Sequence, residues 1–151
     1  MSVSVQTEDF DVGAEIAALT QDRTDIGAVV TFTGLVRDMG GAQAVSAMEL
    51  EHWPGMTEQA LEQIAAEASA RWPLQAARIV HRYGPLLPGD QIVLVAAASP
   101  HRGAAFEAAE YMMDFLKTRA PFWKKETTPD GARWVDARDA DDAAQARWDQ
   151  G

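Results

Sequence analysis

Five consecutive apolar residues, Ile92-Val93-Leu94-Val95-Ala96, lead within three positions to Ser99-Pro100, and this junction constrains the fold more than any other stretch of the chain. A short unbroken apolar run reads as a central strand, because a strand with one wet face would alternate. Ser99-Pro100 then predicts a helix start, with Ser99 as N-cap and Pro100 in the first helical position. The helix should run to about Arg119, since Pro121 forces an extended backbone on Ala120. A central strand feeding a long helix needs further strands beside it and an apolar layer against it.

The remaining sequence supplies both. Val3 and Val5 alternate with polar residues as in a short strand, and Val12, Ile16 and Leu19 follow a one-faced helical spacing. Ala28 to Val36 is rich in β-branched and aromatic residues and reads as a strand buried on both sides. The loop Arg37 to Gly41 should turn into a strand with Met48 and Leu50 on one face and Glu49 and Glu51 on the other. Pro54-Gly55 breaks that strand. Thr57 is the expected N-cap of a helix whose Leu61, Ile64, Ala65, Ala68 and Trp72 form an apolar stripe, ended by Pro73. Ile79 and Tyr83 alternate with Arg78 and Arg82, and Pro88-Gly89 turns into the central run. Phe122 to Thr127 and Arg133 to Val135 flank a hairpin-like turn at Pro129-Asp130-Gly131. The order β, α, β, β, α, β, β, α, β, β, without repeat or linker, predicts one α+β domain over residues 1–151 with antiparallel pairs, closing in an acidic tail from about 139 to 151.

The chain carries 23 acidic and 13 basic residues, a net charge of −10, which repels polyanions and argues against nucleic acid or an anionic membrane as partner. No apolar run is long enough to span a bilayer, and Met1 to Phe10 lacks the pattern of a signal peptide, so a cytoplasmic location is expected. With no cysteine there is no disulfide, thiolate metal site or catalytic thiol, and any sulfur chemistry must use sulfur brought by another molecule. His52, His81 and His101 are scattered and lack ligand spacing, so no metal or other cofactor is called for.

Against this acidic background the only three lysines, Lys117, Lys124 and Lys125, fall within nine positions, with Arg102 and Arg119 in the same part of the chain. Surface ion pairing with Glu107, Glu110 and Asp114 would be the bland explanation. On a helix, Arg102, Phe106, Ala109, Met113 and Lys117 share a stripe some 80° wide, at about 100° per residue. Snorkelling over the core would explain one charged end of that stripe more easily than both. In the following strand Phe122, Lys124 and Glu126 should share one face, and Trp123 and Lys125 the other. A lysine among aromatics and other cations can act as acid, base or nucleophile near neutral pH; it can equally be a solvated guard of a sheet edge. Ser99-Pro100-His101-Arg102 and Arg37 are candidate anion contacts, or else a simple helix cap and loop charges.

Taken together, Val30-Thr31-Phe32-Thr33-Gly34 through Arg37, Leu50-Glu51-His52-Trp53-Pro54-Gly55-Met56, Ser99 to Arg102, Leu116 to Glu126 and Trp134 to Arg138 resemble the large, catalytic subunits of molybdopterin synthases, the MoaE family. The resemblance covers about residues 27–148. It implies an α/β hammerhead-like fold with additional antiparallel strands. It further implies a homodimer in a 2:2 complex with a small ubiquitin-like sulfur carrier (MoaD-like). That carrier ends in Gly-Gly bearing a thiocarboxylate. The implied reaction adds two sulfurs to cyclic pyranopterin monophosphate, giving the dithiolene of molybdopterin. By position, Lys117 and Lys124 would be catalytic. Arg37, His101 and Arg102 would hold the phosphate with Arg138 contributing, Phe32 and Met113 would be packing walls, and Lys125 would lie outside the site. Two other classes stay open on the residues alone: a non-catalytic module that receives a protein tail, and a lysine enzyme forming a Schiff base with a carbonyl substrate.

Overall fold

The computed structural model describes residues 2–38, 47–128, 131–135 and 146–148. Its elements are β1 (Ser2–Gln6), α1 (Val12–Thr20), β2 (Ala28–Leu35), β3 (Ala47–His52), α2 (Met56–Arg71), β4 (Ala76–Arg82), β5 (Gly84–Leu86), β6 (Gln91–Ser99), α3 (Arg102–Arg119), β7 (Phe122–Thr128) and β8 (Gly131–Val135). They form the expected α+β fold, with two four-stranded sheets ordered β1-β4-β6-β2 and β5-β3-β7-β8. The pairs are antiparallel except β1 with β4, which the sequence reading did not foresee. None of the described helices is long and apolar enough to cross a membrane.

The apolar run is the centre of the first sheet. From Ile92 to Ser99 every residue of β6 is buried, because β4 and β2 flank it and helices cover both faces. Ile79, Val93, Val95 and Ala97 join the main core with α2 and α3, whereas Val80 and Leu94 face Phe10 and Val12 on the other side. Strand β2, expected to be buried on both sides, is instead the outer strand, and Phe32 and Leu35 are 43% and 57% exposed.

One strand was missed. The segment read as a single strand from Ile79 onward breaks at Gly84, whose φ of +87° suits a residue without Cβ. Beyond it, β5 leaves the first sheet and pairs with β3 in the second. Both expected helix caps are also displaced. Helix α2 starts behind Gly55, and Thr57 Oγ1 donates to the Trp53 carbonyl at 2.9 Å. Helix α3 starts behind His101, while Ser99 Oγ donates to the Pro73 carbonyl at 3.0 Å from within the sheet. For Ser99 the acceptor lies 26 residues away, outside any local pattern; for Thr57 it lies four residues back, in the turn that leads into α2. Of the hairpin turn, Pro129 and Asp130 lie outside the described residues, but β7 and β8 pair as expected, down to Thr128 opposite Gly131.

Gly27 ties β2 to the start of α3. Its N–H donates to the Ser99 carbonyl at 3.0 Å, and a Cβ placed on it would run into the Pro100 backbone carbonyl. Backbone cannot yield as a flexible side chain can. Gly27→Ala should therefore lower the unfolding free energy by about 3 kcal/mol, the upper end of the usual overpacking cost. Denaturant unfolding with an unchanged m-value would show it; a loss below about 0.5 kcal/mol would mean that the junction gives way.

Candidate active site

Lys117 leaves the last turn of α3, and the chain needs only Thr118 to Pro121 to enter β7. Along β7 burial alternates as the sequence predicts, with Phe122, Lys124 and Glu126 half-buried and Trp123, Lys125 and Thr127 exposed. Pairing with β3 sets Lys124 opposite Leu50 and Glu126 opposite Met48. Lys124 and Lys117 thus reach the same space from two elements, whereas Lys125 points to a separate hollow bordered by Glu49 and Leu87.

That space is a cleft of about 490 Å³ between the two sheets. Lys117, Lys124, Arg37 and Phe32, four of the residues expected at a site, all line it, together with Met48, Ile92 and Glu126. Its rim is shaped by a register shift between Gly34 and Leu35, where the pairing of β2 passes over Ile92 of β6. Such a shift re-aims the residues that follow it. Here Val36 is then held by two backbone bonds, to the Asp90 carbonyl and from the Gly89 N–H, and Arg37 follows at the cleft. Glu126 and Met48 were not assigned a role from sequence, although the alternation of β7 and β3 already put them on the cleft face.

Behind the lysines lies a smaller cavity of about 110 Å³, lined by Lys117, Lys124, His81, Phe122, Leu50 and neighbouring apolar groups. His81 is buried and stacks on Phe122 with ring centroids 3.8 Å apart. His52 lies on Phe122 as well, at 6.1 Å, so two of the three histidines read as scattered converge on one ring. Among the described residues no cluster could hold a metal ion. Burial, then the charges of Lys117 and Lys124, pushes the His81 pKa down to about 3.

The stability consequence has a definite sign. Above pH 6.5 His81 is neutral whether the chain is folded or not; below it the unfolded chain takes up a proton that the folded one refuses down to about pH 3. Stability should therefore fall with acidification by up to about 1.4 kcal/mol per pH unit through this group. Unfolding curves between pH 5 and 7.5 should be shallower in pH for His81→Phe by up to one proton; equal slopes would contradict a neutral buried ring.

The other expected residues lie elsewhere. His101 and Arg102, both exposed, line a third hollow with Gly27, Pro100 and Gly103 at the opposite end of α3. Met113 is 9% exposed and belongs to the core rather than to the lining of the lysine cleft. Its stripe neighbour Phe106, by contrast, is 61% exposed, so the stripe from Arg102 to Lys117 flanks the buried face instead of forming it. Arg138 lies outside the described residues, as do Met39 to Gly41 of the loop after Arg37.

The three acids of α3 nearest the cluster in sequence are engaged with other groups. Glu107 accepts from the Trp72 indole, Glu110 and Asp114 pair with Arg147, and Asp114 accepts from the Trp148 indole. Arg119 pairs with Glu67 at 2.6 Å. The arrangement left at the cleft is two lysines and an arginine in a partly apolar hollow. It can bind an anion and stabilise negative charge developing on an oxygen.

The sequence model of the MoaE protein family matches residues 5–119. A molybdopterin synthase catalytic subunit from Rhizobium meliloti is 60% identical over 150 residues, covering 98% of this chain and 96% of the relative. Among solved structures, a molybdopterin biosynthesis MoaE protein from Burkholderia ambifaria is 61% identical with a TM-score of 0.85, covering 98% and 97% of the two chains. Molybdopterin synthase from Staphylococcus aureus is 37% identical with a TM-score of 0.80, covering 88% of this chain and 96% of that one. With the fold, the near-complete overlap and the identity in agreement, this chain belongs to the MoaE protein family.

Proposed function

We propose that this chain is the catalytic subunit of a molybdopterin synthase. It transfers sulfur from the thiocarboxylate of a small carrier subunit to cyclic pyranopterin monophosphate. The observation that carries this reading is the convergence of Lys117 and Lys124 on one cleft, with Arg37 at its rim, in a chain without a cysteine. Relatives called catalytic subunits imply a second subunit, and here the sulfur has to arrive on one. The cleft suits a thin tail. Glycines lack Cβ, so a Gly-Gly end can pass between side chains that would stop any other residue.

The thiocarboxylate sulfur bonds to a pterin carbon and displaces an oxygen from it. Water then adds to the carrier's acyl carbon, and the tetrahedral oxyanion so formed collapses with cleavage of the acyl carbon–sulfur bond, leaving sulfur on the pterin and a carboxylate on the carrier. An ammonium group at the oxyanion stabilises its charge, and a second can deliver or hold the proton that the substrate carbon exchanges. Lys117 and Lys124 take these parts, Arg37 holds phosphate, and Phe32 forms a wall. His101 and Arg102 at the α3 N-terminus form a further phosphate contact, to which Arg138 contributes, and Met113 backs the wall from the core. The chain acts as one domain over residues 1–151, as a homodimer within a 2:2 complex, in the cytoplasm.

The test is anaerobic incubation with the thiocarboxylated carrier and the pyranopterin, followed by mass analysis. Two sulfurs added per pterin are expected. Tail binding without turnover would favour a non-catalytic module, and a borohydride-trapped adduct of a small ketone would favour Schiff-base chemistry.

A further inference from the structure

The two sheets are joined unevenly. Among the described residues, the strands of the second sheet lie close to one another, and none packs broadly on α3 or on a strand of the first sheet. β3 and β5 are anchored by Met48, Leu50 and Leu86, which enter the main core. Of β7, the strand that carries Lys124, only Phe122 reaches that core among the described residues. Its ring lies on the imidazole of His81, with centroids 3.8 Å apart and planes within 19° of parallel. His52, opposite Phe122 on β3, adds a tilted ring at 6.1 Å. His81 is itself held from both sides and from its own backbone: β4 pairs it with Val5 of β1 and Val93 of β6, and its Nδ1–H donates to the Arg82 carbonyl at 2.8 Å. His81 and Phe122 line the inner cavity together with Lys117 and Lys124. Lys117 follows the first sheet, because α3 packs on β6 and β2, whereas Lys124 follows β7.

We propose that His81 is a positioning residue: acting through the ring of Phe122, it fixes β7 against the first sheet and so sets the gap between Lys117 and Lys124. Phe122 and Lys124 stand two residues apart on one face of β7, so a displacement of the first carries the second with it. A flat ring suits this task. Face-to-face contact resists tilting of Phe122, while the bond to the Arg82 carbonyl keeps the imidazole from turning in its plane. Without the stack both lysines remain chemically intact but stand at the wrong separation, and a misplacement of about 1 Å can cost on the order of a hundredfold in rate. The inference rests on the synthase reading for its effect on rate, and on the two sheets alone for the gap.

The gap can be read in the free protein. Lys117, Lys124 and Lys125 are the only lysines of the chain, so bifunctional amine reagents of graded length, followed by peptide mass analysis, report which pairs each length can join. The informative reagent is the shortest that joins Lys117 to Lys124 in the wild type. His81→Leu fills the space without a flat ring, and Phe122→Leu removes the other half of the stack. Each should lower the yield of that link at least about threefold relative to the longest reagent, because a short link closes only when both ends are held within its reach. His81→Phe, which returns a flat ring, should restore it. In the complex, His81→Leu should lower kcat at least about tenfold with KM for the pterin within about twofold, and His81→Phe should recover most of the loss. An unchanged short-link yield in whichever leucine variant folds would overturn the proposal, as would a folded His81→Phe that behaves like His81→Leu. Cross-linking needs neither carrier nor pterin, so a gap that responds as expected in a chain without turnover would count against the synthase reading alone.

Discussion

Replacing Lys117 or Lys124 by alanine is expected to cut sulfur transfer by at least about a hundredfold while the fold stays intact, because a lost charge stabiliser or proton donor costs on that order. Neither side chain belongs to the core. Lys117 is exposed at the end of α3 and Lys124 is half-buried at the cleft, so truncation opens space that solvent can fill. Lys125→Ala should cost far less, since that side chain stands on the outer face of β7 beside Glu49. Lys124→Ala and Lys125→Ala form an internally controlled pair: adjacent lysines, one strand, opposite faces. Turnover measured with a fixed amount of thiocarboxylated carrier decides the matter, with circular dichroism to confirm folding. Equal losses at Lys124 and Lys125 would contradict the assignment of faces.

Two inactive variants mixed together should recover activity. Helix α3 is continuous from Arg102 to Arg119, so Arg102 and Lys117 stand fifteen residues apart, about 22 Å along the backbone at 1.5 Å per residue. They line different hollows, and a small phosphorylated pterin cannot span them within one chain. If both serve one ligand, the Arg102 end belongs to the neighbouring subunit, and the two sites are related by the dimer axis. The exposed Phe106, one turn beyond Arg102, fits a surface that a second copy covers. Arg102→Ala and Lys117→Ala dimers, exchanged to random pairing, should regain roughly a quarter of wild-type activity, because about half the dimers are mixed and each has one intact site. No recovery after proven exchange would place the phosphate contacts on the chain that supplies Lys117.

What the sequence discloses depends on how far each determinant reaches. The faces of β7 follow from an alternation of five residues, and the structure reproduces them from Phe122 to Thr127. The end of α3 is equally local, fixed by Pro121. Errors arise where a distant group intervenes. Ser99 passes for a cap until the Pro73 carbonyl, 26 residues away, is seen to take its hydroxyl. The composition of β2 suits a buried strand, but an outer position follows from sheet order, which no window of residues contains. His81 shares the apolar phase of Ile79 and Tyr83. Only the meeting of β4 with Phe122 of the other sheet brings it to the lysines. Arg102 and Lys117 share a helical stripe, and that pattern conceals that the two ends serve separate hollows.

The short connection from α3 into β7 has an evolutionary corollary. Lys117 is fixed by the helix and Lys124 by the strand register, with six residues between them. Because successive strand residues face opposite ways, inserting one residue there would put Trp123 where Lys124 stands. Removing one would bring Lys125 into the cleft, but would also set the indole of Trp123 in the place of Phe122 against His81, where a larger ring has to displace its neighbours. Drift in residue identity at the exposed Trp123 is thus compatible with a working cleft, whereas drift in the length of the segment is not. Aligned relatives should show gaps elsewhere before they show one in this segment.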